Sequence, residues 1–506
     1  MFDLTDILFD YFFPQLGRTI SIVNIADAFQ FQAFYHPTSL AVCVPGSHYG
    51  PVSFGRLQAM SNAIGWRCLA AGLKAGEIAA ILSNDPVFHL ATILALERIG
   101  VVSVSTGQPD LPDEFTIDAA ITDTPQEIIG CGRVLRADWS WTIGDDRSLP
   151  RHDDVGGYGT AAARIVLTSA TTGDPKGIAL TQEMLVRRIH ACDAIFGDVV
   201  PTCARIFIDI GLTTSWGYLW AMKVLTRGGA VFFRGSDPAE TLQAFGLYQV
   251  QCMIGSPASA AEFVGYYENS PDFICPFETM LSSGGMLSAT LSERIRRRMC
   301  THLIATYAAT EITPLASAPA HRIADTRGAV GYIAPWIGAE VVDDADQPVG
   351  AGEQGHLRFR GHTCVSGYVG TPRNAKGVFK GGWFYPGDIG MITPERLLVI
   401  AGREKAIINV GGNKINPEAI ESVLLSYPGV VHAGAFCRTN VAGVDEVWAV
   451  VASQADVDMQ GLRAHCAQML PPLFVPVHIV RVADIPRNDM GRIVRNKLDG
   501  IVPAHS

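Results

Sequence analysis

Ser169-Ala-Thr-Thr-Gly-Asp-Pro-Lys-Gly177 is the stretch whose residue types point most directly to chemistry. Small residues let backbone N–H groups approach an anion closely, the threonine hydroxyls can donate to it, and Lys176 adds a mobile positive charge. The G-x-x-x-x-G-K-[ST] spacing of a Walker loop is absent, so on its own this stretch reads either as a phosphate cradle or as a flexible Gly/Thr-rich turn. Further segments mix small, aromatic and ionisable residues: Ser283-Gly-Gly-Met-Leu-Ser288, Tyr307-Ala-Ala-Thr-Glu311, Trp383-Phe-Tyr-Pro-Gly-Asp388 and Pro486-Arg-Asn-Asp-Met-Gly-Arg492. Among them are the aromatic Tyr307 and the carboxylate Asp388. Taken singly, each also fits ordinary core packing or a turn cap.

These residues need elements to hold them. Short β-branched runs at Arg164–Thr168, Ala230–Phe233, Cys252–Ile254 and Leu303–Thr306 predict buried strands. Between them, Leu185, Ile189, Cys192 and Phe196 share one helical face, and Leu287, Leu291, Ile295 and Met299 another, with Ser288 placed as its N-cap. This alternation predicts an α/β fold with mainly parallel sheets. Trp383–Gly390 and Leu397–Gly402 close a β-rich region near residue 402. Beyond it, Asn416-Pro417-Glu418 opens a helix whose buried face is Ile420, Val423, Leu424 and Tyr427, within a small α+β domain. The expected domains are 1–402 and 403–506.

At 506 residues the chain is too long for a single core, and 48% hydrophobic against 17% charged residues excludes wholesale disorder. A net charge of −10 argues against nucleic acid as a general partner. The eleven cysteines include no C-x-x-C pair, which fits reduced thiols in a cytoplasmic protein. Met1–Phe13 interleaves Asp3, Asp6 and Asp10 with apolar residues and lacks a basic start, so it reads as an amphipathic helix and not as a signal peptide. Between Arg205 and Lys223, Asp209 and a Thr-Thr-Ser run interrupt the apolar stretch, so a buried core segment is expected there and no membrane span.

Taken together and in order, these segments resemble the adenylate-forming superfamily of acyl-CoA synthetases, peptide-synthetase adenylation domains and luciferases. Residues 169–177 resemble its Ser-Gly-Thr-Thr-Gly-x-Pro-Lys-Gly signature, 307–311 its Tyr-Gly-x-Thr-Glu, and 383–388 its Gly-Trp-x-x-Thr-Gly-Asp. Gly402-Arg-Glu-Lys405 resembles its hinge, Ile408–Pro417 the loop after it, and 486–492 its Pro-Lys-Thr-x-x-Gly-Lys. The resemblance implies a multi-lobed N-terminal domain and a small C-terminal domain that swings about Lys405. It implies that Thr168, Ser169, Thr171, Thr172, Gly173 and Lys176 hold the β- and γ-phosphates of ATP, that Thr310 touches the α-phosphate, and that Glu311 binds magnesium. Gly284, Gly285, Met286 and Tyr307 would flank adenine, and Asp388 and Arg403 the ribose. Gly411 and Gly412 would line a pantetheine tunnel, with a tight hairpin as the other reading of that pair. Lys176, Thr310, Glu311 and Arg492 would carry catalysis.

The expected function is therefore an ATP-dependent ligase that joins a small carboxylic acid to coenzyme A through an acyl-AMP intermediate. A ligase loading a carrier protein, and a homologue that binds without turnover, are the alternatives; a second copy of the chain is a further partner candidate. Departures from the pattern bear on this. Ala170 and Ala308 replace glycines, Gln182 and Thr214 replace histidines, and Pro386 replaces a threonine. Arg492 stands where the family has a catalytic lysine, an exchange that keeps the charge but not its shape. Either Arg492 works with altered geometry, Lys497 substitutes for it, or adenylation is weak. No aspartate near Thr213–Ser215 awaits an amino-acid ammonium, so an apolar acyl pocket is expected around Trp216, Tyr218, Met286 and Ala308, although these aromatics also fit plain core.

Overall fold

The computed structural model describes residues 24–502 other than 110, 145–146, 151–160, 169–175, 203, 271, 371–376, 404–407, 411–412, 441–444, 454–455 and 489–490. Met1–Phe13, Ser169, Thr171, Thr172, Gly173, Lys405, Gly411 and Gly412 thus lie outside the described residues. The fold is mixed α/β. The β-branched runs form strands covered on both faces, which explains why they lack polar alternation. In spatial order, Leu40–Cys43, Ala230–Phe232, Arg205–Ile208, Cys252–Gly255, Thr279–Ser282 and His302–Ala309 pair in parallel. At Ile312–Pro319 the direction reverses, and Ala329–Ile333, Leu397–Arg403, Asp388–Ile392 and Gly355–Arg360 extend the sheet antiparallel. A second, six-stranded sheet orders Val134–Arg136, Ala119–Thr122, Ile78–Leu82, Val102–Ser105, Ala162–Leu167 and Gly177–Thr181, the last antiparallel.

Helices fill the space between the two sheets. Gln182–Phe196 packs on strands of both, Pro86–Arg98 on the smaller and Ser215–Thr226 on the larger. One apolar core accordingly joins Val42, Ile81, Ile93, Ile189, Ile206 and Leu219. The stretch from Arg205 to Lys223 resolves into a strand and the buried start of a helix, and no helix among the described residues is long and apolar enough to cross a membrane. The caps form where the sequence offers them: Ser288 Oγ accepts from Leu291 N at 3.2 Å and Asn416 Oδ1 from Glu418 N at 3.1 Å.

Toward the C-terminus, Val430–Thr439, Asp445–Ser453 and His478–Arg481 form a separate three-stranded sheet. Helix Pro417–Leu425 lays Ile420, Val423 and Leu424 on it, giving this segment a core of its own. The expected division at 402/403 falls within strand Leu397–Arg403 of the large sheet. In open α/β sheets, ligands bind beyond the carboxyl ends of the strands where the order changes. Here the loop after Thr279–Ser282 and the Thr310-Glu311 tip between two strands stand at that edge.

Candidate active site

A cleft of about 580 Å³ opens at this edge, lined by Gly284, Gly285, Met286, Tyr307, Ala308, Asp388, Arg403 and Arg492, and also by Glu418 and Glu421. Asp388 and Arg403 are direct partners across two antiparallel strands. That register places Arg403 Nε 3.1 Å from Asp388 Oδ1, and the Tyr307 hydroxyl donates to Asp388 Oδ2. Asp388 is only 4% exposed, and these two donors serve both of its buried carboxylate oxygens. Burial raises the Tyr307 pKa well above its usual value and Asp388 adds to the rise, so the phenol stays a donor. Burial works against the Arg403 cation, but the Asp388 carboxylate outweighs it and holds its pKa above the ordinary value.

Arg492 enters the cleft from the C-terminal segment. A reciprocal pair of bonds shapes its loop, Arg492 N to Asn488 Oδ1 and Asn488 N to Arg492 O, both 2.9 Å. Its Nε donates to the Gly284 carbonyl at 2.8 Å, which ties Arg492 to the turn that carries Gly284, Gly285 and Met286. Burial, and then the neighbouring Arg403 cation, lowers its pKa. Lys497 is exposed on a short 3-10 turn and does not line the cleft, so the described geometry favours Arg492 over Lys497 as the cation there.

Beside the cleft a second group assembles. Leu167 pairs with Gly177, and Thr168 N donates to Lys176 O at 2.9 Å, so the ends of the 169–175 loop are held together. Lys176 Nζ lies 4.9 Å from the centre of the Tyr368 ring, and the hydroxyl of that tyrosine donates to Glu311 Oε1 at 2.7 Å. Lys176 and Glu311, 135 positions apart in the sequence, therefore meet on the two ends of one side chain. Among the described residues no cluster of three His, Cys, Asp or Glu side chains could hold a metal by itself. A single carboxylate suits magnesium that is shared with substrate phosphates, because that ion keeps most of its other ligands as phosphate oxygens and water. Glu311 fits this use.

The structure does not bring Trp216 and Tyr218 together as an acyl pocket. Two positions apart on helix Ser215–Thr226, they diverge by about 200°. Trp216, 3% exposed, packs on Phe196 and Trp220. Tyr218 is fully buried, its hydroxyl donates to Glu97, and the Arg164 guanidinium sits 4.4 Å over its ring. Met286 and Ala308 do line the cleft. The departures have visible local uses. Gln182 Oε1 accepts from Ile25 N at 3.1 Å, and Thr214 caps its helix by accepting from Gly217 N at 3.0 Å. Gly217 has no substitute, since a Cβ would stand 2.2 Å from the Ile210 carbonyl. Sequence reasoning missed Tyr368 and Arg188; the only signal was a tyrosine set between Gly367 and Gly370, and an arginine on an otherwise apolar helix face.

Known proteins resemble this chain in sequence and in fold. Residues 125–369 match the model of a family described as AMP-binding enzyme. The 2-succinylbenzoate–CoA ligase of Geobacillus kaustophilus (strain HTA426) is 28% identical over 472 residues, covering 86% of this chain and 90% of its own. A feruloyl-CoA synthase of an Amycolatopsis species is 25% identical over 463 residues, covering 85% and 89%. The o-succinylbenzoate CoA synthetase of Bacillus subtilis, solved with its acyl-adenylate intermediate, shares the fold with a TM-score of 0.77 at 20% identity, over 93% of this chain and 97% of that one. The same enzyme solved with ATP and magnesium gives the same TM-score at 20% identity, over 93% and 99%. Residues 125–369 of the chain are thus similar to the AMP-binding enzymes, and most of its length is similar to acyl- and aryl-CoA ligases.

Proposed function

We propose that this protein is an ATP-dependent carboxylic acid–CoA ligase working through an acyl-AMP intermediate. In the first half-reaction a carboxylate oxygen of the acid attacks the α-phosphorus of ATP, the bond to the bridging oxygen breaks, and pyrophosphate leaves. Such a step is driven by positioning and by charge neutralisation. Asp388 and Arg403 would receive the ribose, with Tyr307, Gly284, Gly285 and Met286 around adenine. Arg492 would sit by the α-phosphate with Thr310. Thr168 and Lys176, with Ser169, Thr171, Thr172 and Gly173, would hold the outer phosphates. Magnesium would bind at Glu311 and offset polyphosphate charge.

In the second half-reaction the coenzyme A sulfur, as thiolate, attacks the acyl carbonyl and AMP leaves. This step would use Gly411 and Gly412 after residues 403–506 turn about Lys405 relative to 1–402. The observation that carries the reading is the meeting of Tyr307, Asp388, Arg403 and Arg492 at one cleft, although up to 185 positions separate them in the sequence. The names of the relatives, which act on succinylbenzoate and ferulate, support a CoA ligase and favour an aryl acid as the first substrate to try. The test is ATP–pyrophosphate exchange over a panel of aryl and alkyl acids, followed by thioester formation with coenzyme A. Exchange with at least one acid is expected; none across the panel would overturn the reading.

A further inference from the structure

Arg188 lies on helix Gln182–Phe196 on the same face as Leu185 and Cys192, and its side chain is completely buried. An arginine there is costly unless every donor is used. Its Nη1 donates to Thr310 O at 3.0 Å and Nη2 to Glu311 O at 3.1 Å. Nε and Nη2 both reach Thr363 O, at 3.2 and 2.9 Å, and Nη1 reaches Ser215 Oγ at 3.4 Å. The Glu311 carbonyl also accepts from Val365 N at 2.9 Å.

The bonded strands around this point pair Ala309 with Ile312, leaving Thr310 and Glu311 as the tip of a tight connection. Thr310 O and Glu311 O are therefore not bonded to each other's strand, and among the described residues Glu311 O has only Val365 N from the backbone. One guanidinium fork takes both and pins them to the Thr363 segment and to the start of helix Ser215–Thr226. With the main chain of the tip fixed on that side, the Glu311 carboxylate is directed to the Tyr368 hydroxyl and the neighbourhood of Lys176.

We propose that Arg188 is a positioning residue that holds the Thr310–Glu311 tip so that the Glu311 carboxylate is presented to magnesium bound with the ATP phosphates. The inference rests on the adenylation reading above. It assigns to a buried helix residue a role that neither its sequence context nor any contact with substrate reveals. Burial brings its pKa down to about 10, so the cation persists at neutral pH. Lysine keeps that charge but lacks the planar fork that serves three carbonyls at once.

The experiment uses the full chain and the variants Arg188→Lys and Arg188→Gln, each checked for folding by thermal melting. Titrating magnesium in the exchange assay, Arg188→Lys should raise the half-saturating concentration about tenfold, as expected when the partner of a metal ligand is lost. AMP affinity measured by calorimetry without magnesium should stay at the wild-type value, because that contact uses the Tyr307 and Asp388 cleft. In a Glu311→Gln background, Arg188→Lys should cause no further change in magnesium dependence. A parallel loss of AMP affinity, an unchanged magnesium requirement, or full additivity with Glu311→Gln would each overturn the proposal. So would failure of both variants to fold, which would give Arg188 to stability alone. Absence of exchange in the wild-type protein is a different result: it rejects the adenylation reading, and the inference falls with it.

Discussion

Asp388 is held by Tyr307 on one carboxylate oxygen and by Arg403 on the other, at the wall of the cleft. If the ribose hydroxyls donate to it, Asp388→Ala should weaken ATP binding by about 1.5–3 kcal/mol, read by calorimetry. Unchanged affinity would remove it from the site. Arg492 is the more exposed assignment, since its Nε is committed to the Gly284 carbonyl and leaves the rest of the fork for an anion. Arg492→Ala should slow adenylation about 10²–10³-fold in the exchange assay. Arg492→Lys is its informative partner: a rise in rate would show the natural residue limiting, and no change would show that its surroundings have adapted. Full activity of Arg492→Ala would give the work to another group. The positions of Tyr307, Asp388, Arg403 and Arg492 were legible because each sits in a short motif of distinctive residue types. Arg188 and Tyr368 were not, because the partner they share, Glu311, is more than fifty residues from each along the chain. Pairings of that reach leave no periodicity or spacing to read.

Element by element, the strands and helix caps were readable because local patterning and tertiary burial agree, as at Cys252–Gly255 and at Ser288. Helix Ser215–Thr226 shows where that stops. It is buried almost all round, so its sequence does not distinguish a face toward a ligand from a face toward core. Tyr218 turned out to bind Glu97 of helix Pro86–Arg98, beneath Arg164, which itself donates to Ser103 and Ser105 at 3.1 and 2.7 Å. Burial raises the Glu97 pKa to about 7, while Tyr218 and Arg164 pull it back. A carboxyl whose folded pKa exceeds its unfolded one favours the fold fully below the unfolded value of 4.5, and loses that advantage as pH rises to about 7. Glu97→Gln removes the titration while keeping an acceptor for Tyr218. Its stability relative to wild type, from denaturant melts, should therefore improve between pH 5 and 8, by up to about 3 kcal/mol. A constant difference across that range would show that Glu97 is ionised in the fold throughout.

At the scale of the molecule, the cleft proposed for adenylation is closed by two parts of the chain that meet at Arg492 and Gly284. Gly491 is at that seam. Its φ of +70° is a left-handed conformation that side chains resist, and a Cβ would come within 2.6 Å of Ser256 Oγ, the cap of helix Pro257–Asn269. Its N–H bonds Asn488 O at 2.7 Å and its carbonyl accepts from Arg487 at 2.8 Å, so the backbone has little freedom to move away. Gly491→Ala should thus displace the loop from the large sheet's edge and carry Arg492 off the Gly284 carbonyl, without touching either hydrophobic core. The two half-reactions should respond differently, since the thiol step is proposed to use another orientation of residues 403–506. Pyrophosphate exchange should fall at least about tenfold, in the direction of Arg492→Ala, while thioester formation from supplied acyl-AMP stays near wild type. The melting temperature should change little, because the seam contributes few apolar contacts. Equal loss of both activities in a folded Gly491→Ala protein would mean that the same closure serves both steps, and that the turn of the C-terminal segment is not what separates them.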